Sequence, residues 1–118
     1  MWLMTRHGFY SVVRAHNKDK SPHENLMMVR GRSRGHLEQL KTLDSGLGEI
    51  VESGGTDYPY RIIVPRDLLL SLMLKLSMDI DYINFKNAAI SNPMNGEDYI
   101  DFLHRVWAQG LHLRKTKD

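Results

Sequence analysis

Three arginines lie within five residues of one another, in the sequence Arg30-Gly31-Arg32-Ser33-Arg34. A predicted strand ends here and a predicted helix begins. Guanidinium groups bind phosphates and carboxylates through paired N–H donors. A helix N-terminus adds unpaired backbone N–H groups and the positive end of a dipole. The segment therefore predicts a site for an anionic ligand.

The predicted anion or nucleic-acid site also draws on the strand before it. Arg14 is expected to join the arginines, and Tyr10 to stack on a base, because single-stranded nucleic acid favours basic side chains beside aromatic rings. If strand geometry continued, alternation would place the three arginines on one face with Leu26 and Met28. The full predicted set is Tyr10, Arg14, Arg30, Arg32, Ser33 and Arg34.

The same residues have a structural interpretation. The arginines would then be solvated charges on the outer face of a sheet, or would pair within the chain with Glu38 and Glu52. Tyr58 and Tyr60 could supply a stacking surface beside the arginines. Alternatively, Tyr60 belongs to the core, on the strand face that it shares with Ile62. Sequence alone leaves these alternatives open.

Histidines in the first third of the chain allow a catalytic alternative. A histidine beside tyrosine and arginine can cleave RNA by acid–base chemistry without a metal, so a small metal-independent ribonuclease is possible. No pair has metal-ligand spacing, and residues 31–35 lack the Lys-Ser/Thr ending of a nucleotide-binding phosphate loop. We therefore predict no catalytic residue, metal or cofactor. The histidines are His7, His16, His23 and His36.

Composition and charge restrict the class of protein. The 118 residues are 42% hydrophobic and 25% charged and contain no cysteine, as expected for one domain over residues 1–118 in a bacterial or phage cytoplasm. No apolar run reaches the ~18 residues of a membrane span, and the N-terminus does not resemble a signal peptide. Residues 1–41 hold eight Lys or Arg against three Asp or Glu, whereas residues 42–113 hold five against ten. Such a dipolar chain suits an acidic protein partner or a head-to-tail homodimer.

Hydrophobic spacing predicts the elements that must position these side chains. The helix at 68–78 is so apolar that we expect protein around nearly all of it, and Asp81 is the expected N-cap of the short helix that follows. The order ββαββα plus two helices predicts an α+β fold. It would be an antiparallel sheet of four to five strands with helices mainly on one face, a ferredoxin-like sandwich with extra C-terminal helices. The predicted strands are 9–15, 26–30, 49–52 and 58–64, the long helices are 34–43, 68–78 and 97–113, and 17–25 is an exposed loop.

Three segments together are similar to a set of small, uncharacterised bacterial proteins of about this length: GFYSVV at 8–13, DYPYR at 57–61 and IDYINFK at 80–86. That resemblance implies no activity and transfers no functional residue. Residues 6–13 also partly resemble the basic-Gly-aromatic strand of RNA-recognition motifs, whose aromatic rings stack on bases. In that family the strand is the third, whereas here it lies near the N-terminus.

These observations favour a small non-catalytic binding module. Its expected ligand is RNA or single-stranded nucleic acid, held at the basic strand-to-helix turn. The alternatives are a protein-interaction or homodimeric regulatory module that docks on an acidic partner, and the metal-independent ribonuclease. Neither a membrane nor a cofactor is expected.

Overall fold

A five-stranded antiparallel sheet forms the centre of the protein, in the order β1-β2-β3-β5-β4. The computed structural model describes residues 1–114. The α+β class and the antiparallel sheet predicted from the sequence are confirmed. The strands are β1 (Trp2–Thr5), β2 (Gly8–His16), β3 (Pro22–Gly31), β4 (Val51–Glu52) and β5 (Tyr60–Pro65).

Four helices accompany the sheet, and local signals explain where they begin. Pro65 precedes the second helix, and its fixed φ suits a helix start. The Asn84 side chain accepts a hydrogen bond from the backbone N–H of Asn87 at 3.0 Å and so caps the third. The helices are α1 (Arg34–Leu43), α2 (Arg66–Met78), α3 (Phe85–Ser91) and α4 (Glu97–Gly110).

The main core lies between one face of the sheet and helices α1 and α2. Alternating residues of β2, β3 and β5 point to this face and meet the inward leucines of both helices. Tyr10, Leu37 and Ile62 have no exposed surface at all. The cluster consists of Tyr10, Val12, Met27, Val29, Leu37, Leu40, Leu47, Ile62, Val64, Leu69 and Leu72.

A second, smaller cluster joins α3 and α4 to one end of the sheet. It contains Phe9, which lies on the opposite face from Tyr10 because neighbouring residues of a strand alternate. Its buried members are Phe9, Tyr58, Ala89, Tyr99 and Leu103. Elsewhere on the Phe9 face Trp2, Val51 and Ile63 are exposed, so much of that face is open, as the sequence predicted.

The structure corrects the predicted environment of α2. This helix is not surrounded by protein, since Leu70, Leu74 and Met78 are 65%, 64% and 78% exposed. The sheet and α1 cover one side of it, where Leu69 and Leu72 are buried. The apolar composition reflects two apolar faces, of which only one is covered within the described residues. No helix among residues 1–114 has the length and apolarity to cross a membrane.

Several predicted boundaries were also wrong. Residues 2–5 form a separate strand, because the chain turns back at Arg6-His7, and the loop ends earlier because β3 begins at Pro22. Asp81 is not the N-cap of the short helix. Its carboxylate pairs instead with Arg6 at 2.8 Å, and Asn84 takes the capping position.

Candidate anion-binding site on the open face of the sheet

Strand register places five residues in one row across the open face of the sheet. Trp2 pairs with Ser11, Ser11 with Arg30, Arg30 with Arg61, and Arg61 with Val51. Directly opposed residues in antiparallel strands share a face. Two arginines are therefore neighbours at the centre of this row, on the same face as Phe9 and opposite the main core.

Neither central arginine has an acidic partner. Within residues 1–114 no carboxylate lies within 4.0 Å of Arg30 or Arg61. Arg30 Nη2 donates to Ser11 Oγ at 2.7 Å, and Arg61 Nη2 donates to Tyr58 O at 3.2 Å. The Nε atoms of both are buried without a hydrogen-bond partner. Opposed like charges and unpaired donors both cost stability, and an anion at the guanidinium groups would reduce the repulsion.

A third arginine completes the group through the ring of Tyr58. The guanidinium carbons of Arg30 and Arg32 lie 4.7 Å and 4.9 Å from the Tyr58 ring centroid, within cation–π range. Arg32 Nε also donates to Asp57 O at 3.1 Å. Because Arg61 donates to the backbone of the same tyrosine, the three guanidinium groups converge on Tyr58. We refer to Arg30, Arg32 and Arg61 as the arginine cluster.

The structure separates Arg34 from this cluster, whereas Ser33 lines a cavity together with Arg32. Arg34 is the first residue of α1, so strand alternation does not extend to it, and its Nε pairs with Glu38 Oε1 at 3.1 Å on an exposed helix face. Ser33 occupies the N-cap position of α1, as predicted, but its side chain makes no capping hydrogen bond. Of the three arginines in the sequence segment, Arg30 and Arg32 lie together and Arg34 is paired elsewhere.

Arg14 and Tyr10 lie on the other face of the sheet. Arg14 pairs with Met27 of the main core, three residues along β2 from Ser11, and an odd number of residues reverses the face. Tyr10 is 0% exposed, and its hydroxyl donates to His36 O at 2.7 Å. Burial raises the pKa of this hydroxyl. No ring surface of Tyr10 is accessible to a base.

Sequence reasoning missed Arg61 as a site residue, although it did place Tyr58 beside the arginines as one possible stacking surface. Arg61 follows a tyrosine pair in a predicted strand, and its alternation with buried Ile62 indicated that it faces away from the core. The missing information was that β5 lies next to β3. No local pattern specifies that pairing across the intervening residues 32–59, which contain α1 and β4.

The histidines do not form one catalytic group. His7 Nε2 lies 2.7 Å from Asp79 Oδ2, in a cleft of about 560 Å³ that Arg6 also lines. Burial tends to raise the pKa of Asp79, but hydrogen bonds with Arg6 and His7 outweigh it and hold that pKa below its usual value. His36 lines different cavities.

His36, His23 and His16 each have a hydrogen bond to the backbone, which is local for His23 and His16 and joins α1 to β2 for His36. Nδ1 of His36 accepts from Phe9 N at 3.2 Å, and Nδ1 of His23 accepts from Leu26 N at 3.0 Å. His16 Nδ1 lies 3.1 Å from Asn17 O. In the described part of the chain, no three His, Asp or Glu side chains group as metal ligands.

The fold thus brings two of the sequence-predicted arginines, Arg30 and Arg32, together on an open surface and adds Arg61 to them. The chemistry of the arginine cluster is that of an anion site, with several guanidinium donors, a buried ring that fixes them, and an exposed tryptophan in the same row. No protein-family model, curated protein or solved structure matches this chain.

Proposed function

We propose that this protein binds RNA or single-stranded DNA across the open face of its sheet, without turnover. The observation that carries the proposal is the arginine cluster, three guanidinium groups around Tyr58 with no carboxylate partner in the described structure. Fixed guanidinium groups suit phosphate oxygens through paired hydrogen bonds. An internal carboxylate in direct contact would compete with phosphate, and within residues 1–114 none lies within 4.0 Å of these three arginines.

Trp2 gives the same surface a stacking group. Its side chain is 68% exposed, and its ring meets Phe9 edge-on with centroids 6.0 Å apart. It lies two strands from Arg30 in the same row, a separation of about 10 Å at the usual strand spacing. Base stacking on an exposed ring together with phosphate contacts is the usual arrangement for binding single strands.

The test is fluorescence anisotropy with a labelled RNA 12-mer across a salt series. We expect affinity to fall steeply with salt, because binding releases counterions. Replacing Arg32 and Arg61 together by alanine should weaken binding at least tenfold and reduce the slope of log K against log salt by about 1–2, since each phosphate contact contributes about one.

Arg14→Ala is the matched control. Arg14 is an exposed arginine of the same sheet, but it points to the opposite face. The control variant should bind RNA as the wild type does, and its melting temperature shows that the fold is intact. Absence of binding at low salt would contradict the proposal, as would equal weakening by Arg14→Ala and the cluster variant. Binding of an acidic protein but not of RNA would favour the acidic-partner alternative.

The exposed side of α2 favours a homodimer as a second candidate. Leu70, Leu74 and Met78 follow one another at i, i+4 and i+8 along one side of the helix, and such stripes mark protein contacts. If two α2 helices met antiparallel, the exposed Arg66 of each would lie near the negative C-terminal end of the other. Light scattering tests this candidate. A dimer that the Leu70→Ser/Leu74→Ser variant dissociates would support it, and a monomer at all concentrations would exclude it.

A further inference from the structure

A small cavity of about 180 Å³ opens beside the arginine cluster, with Arg32 in its wall. Drug-sized ligands need roughly 300–1,000 Å³, so this cavity suits a single small ring. Three aromatic side chains line it, with ring centroids of Phe9 and Phe102 5.0 Å apart and those of Tyr99 and Phe102 6.2 Å apart. These rings contact one another and give the cavity an aromatic wall against which a small ring can pack.

Besides Arg32 and Ser33, Asp98 and His36 line the same cavity, and these two differ in hydrogen-bonding character. Asp98 Oδ1 accepts from Tyr99 N at 2.8 Å, which leaves the second carboxylate oxygen as an acceptor. His36 Nδ1 accepts from Phe9 N, so the neutral ring carries its proton on Nε2 and acts as a donor. Burial lowers the pKa of His36 and favours this neutral form. Asp98 and His36 thus give the cavity wall a fixed acceptor and a fixed donor, whereas the Ser33 hydroxyl can serve as either.

We propose that this cavity takes one unstacked cytosine of the bound strand, with the neighbouring phosphate on Arg32. The inference depends on the proposed nucleic-acid function and adds base selectivity to it. Cytosine has an amino donor next to a ring acceptor, which complements Asp98 and His36. Uracil has an acceptor where cytosine has the amino donor, and a donor where cytosine has the ring acceptor. Its carbonyl oxygen would therefore face the Asp98 acceptor. The small volume favours a pyrimidine over a purine.

The experiment compares labelled oligo-C, oligo-U and abasic RNA strands of equal length by anisotropy. We expect the wild type to bind oligo-C about tenfold more tightly than oligo-U, because one matched base edge discriminates by about that factor. Abasic strand should bind no better than oligo-U. Asp98→Asn replaces an acceptor oxygen by an amide donor, so the C-to-U ratio should fall to about one while the dependence on salt stays unchanged.

Asp101→Asn is the control for loss of a carboxylate on the same helix. Asp101 pairs with Arg105 on an exposed side of α4, and this variant should keep the tenfold preference. Equal binding of oligo-C and oligo-U, or a preference that survives Asp98→Asn in a folded variant, overturns the cytosine cavity but leaves backbone binding intact. Failure of every strand to bind with salt dependence instead overturns the proposed function itself.

Discussion

At the scale of single residues, Gly8 has the least space for an added side chain among the glycines. A Cβ built on Gly8 would lie 2.3 Å from His36 Cγ and 2.5 Å from His36 Cβ. These atoms adjoin the backbone of α1, so rotating the imidazole cannot relieve the contact. We expect Gly8→Ala to lower the free energy of unfolding by about 1–3 kcal/mol, the usual cost of overpacking. Denaturant unfolding followed by circular dichroism measures it.

Gly54→Ala is the matched control for that substitution. A Cβ on Gly54 meets no atom within 4 Å, so its effect should stay within about 0.5 kcal/mol. Similar losses for the two variants would mean that the close approach of β2 to His36 does not constrain the fold. Because His36 also lines the small cavity, Gly8→Ala should reduce any cytosine preference together with stability.

Alternation along single strands predicts which face of the sheet a residue lies on, but not what covers that face. Alternation correctly places Arg30 beside Met28 on the outer face and Tyr60 away from Arg61. It does not show that Tyr10 and Phe9 are both buried, because that requires helices on both faces at one end of β2. The stacking role predicted for Tyr10 depended on an open surface that α1 occupies.

At the scale of elements, a buried carboxylate connects the end of α1 to α2. Asp44 is 3% exposed. Its Oδ1 accepts from Gly46 N at 3.0 Å and pairs with Lys75 Nζ at 3.2 Å, and Ser71 Oγ donates to Oδ2. The Gly46 hydrogen bond lowers the pKa of Asp44 against the effect of burial, with help from Lys75 and Ser71.

We expect Asp44→Asn to destabilise the protein by about 2 kcal/mol at pH 7, because hydrogen bonds to charged groups contribute about 1.5–3 kcal/mol. The pKa is lower in the folded state, so the carboxylate stabilises the fold above the unfolded pKa and this contribution is lost as pH falls through the folded value. Unfolding free energies measured from pH 7 to 3 should therefore converge for the two proteins. Asp101→Asn, at an exposed pair, should change stability by less than about 0.5 kcal/mol. Equal losses in both variants would refute the role of Asp44.

Helix α2 shows why element types were easier to predict than their surroundings. The helix begins two residues before the predicted start and ends at the predicted residue. The agreement is close because Pro65 and the leucine run are local signals. How many sides of α2 are covered by the rest of the protein depends on how far α1 and the sheet extend. Leu70 and Leu74 are therefore as hydrophobic as core residues, but their positions on α2 leave them exposed.

At the scale of the whole molecule, the two cores are unequal and meet only at one end of the sheet. The main cluster has eleven buried residues, whereas the cluster of α3 and α4 has five. The antiparallel layers followed from the order of elements in the sequence, but the placement of β3 beside β5 depended on long-range packing. Regions with fewer buried apolar contacts open at lower free energy.

We therefore expect Leu103→Ala to loosen α3 and α4 without loosening the central strands. Leu103 is a buried member of the smaller cluster, and removing a buried leucine side chain costs about 2–5 kcal/mol. Amide hydrogen exchange should accelerate in residues 85–91 and 97–110 and stay near the wild-type rate in β2, β3 and β5. Leu72→Ala, in the main cluster, should accelerate exchange in those strands as well. Uniform acceleration by both variants would show that the protein opens as one unit, and Phe102 would then leave the small cavity only when the sheet itself unfolds.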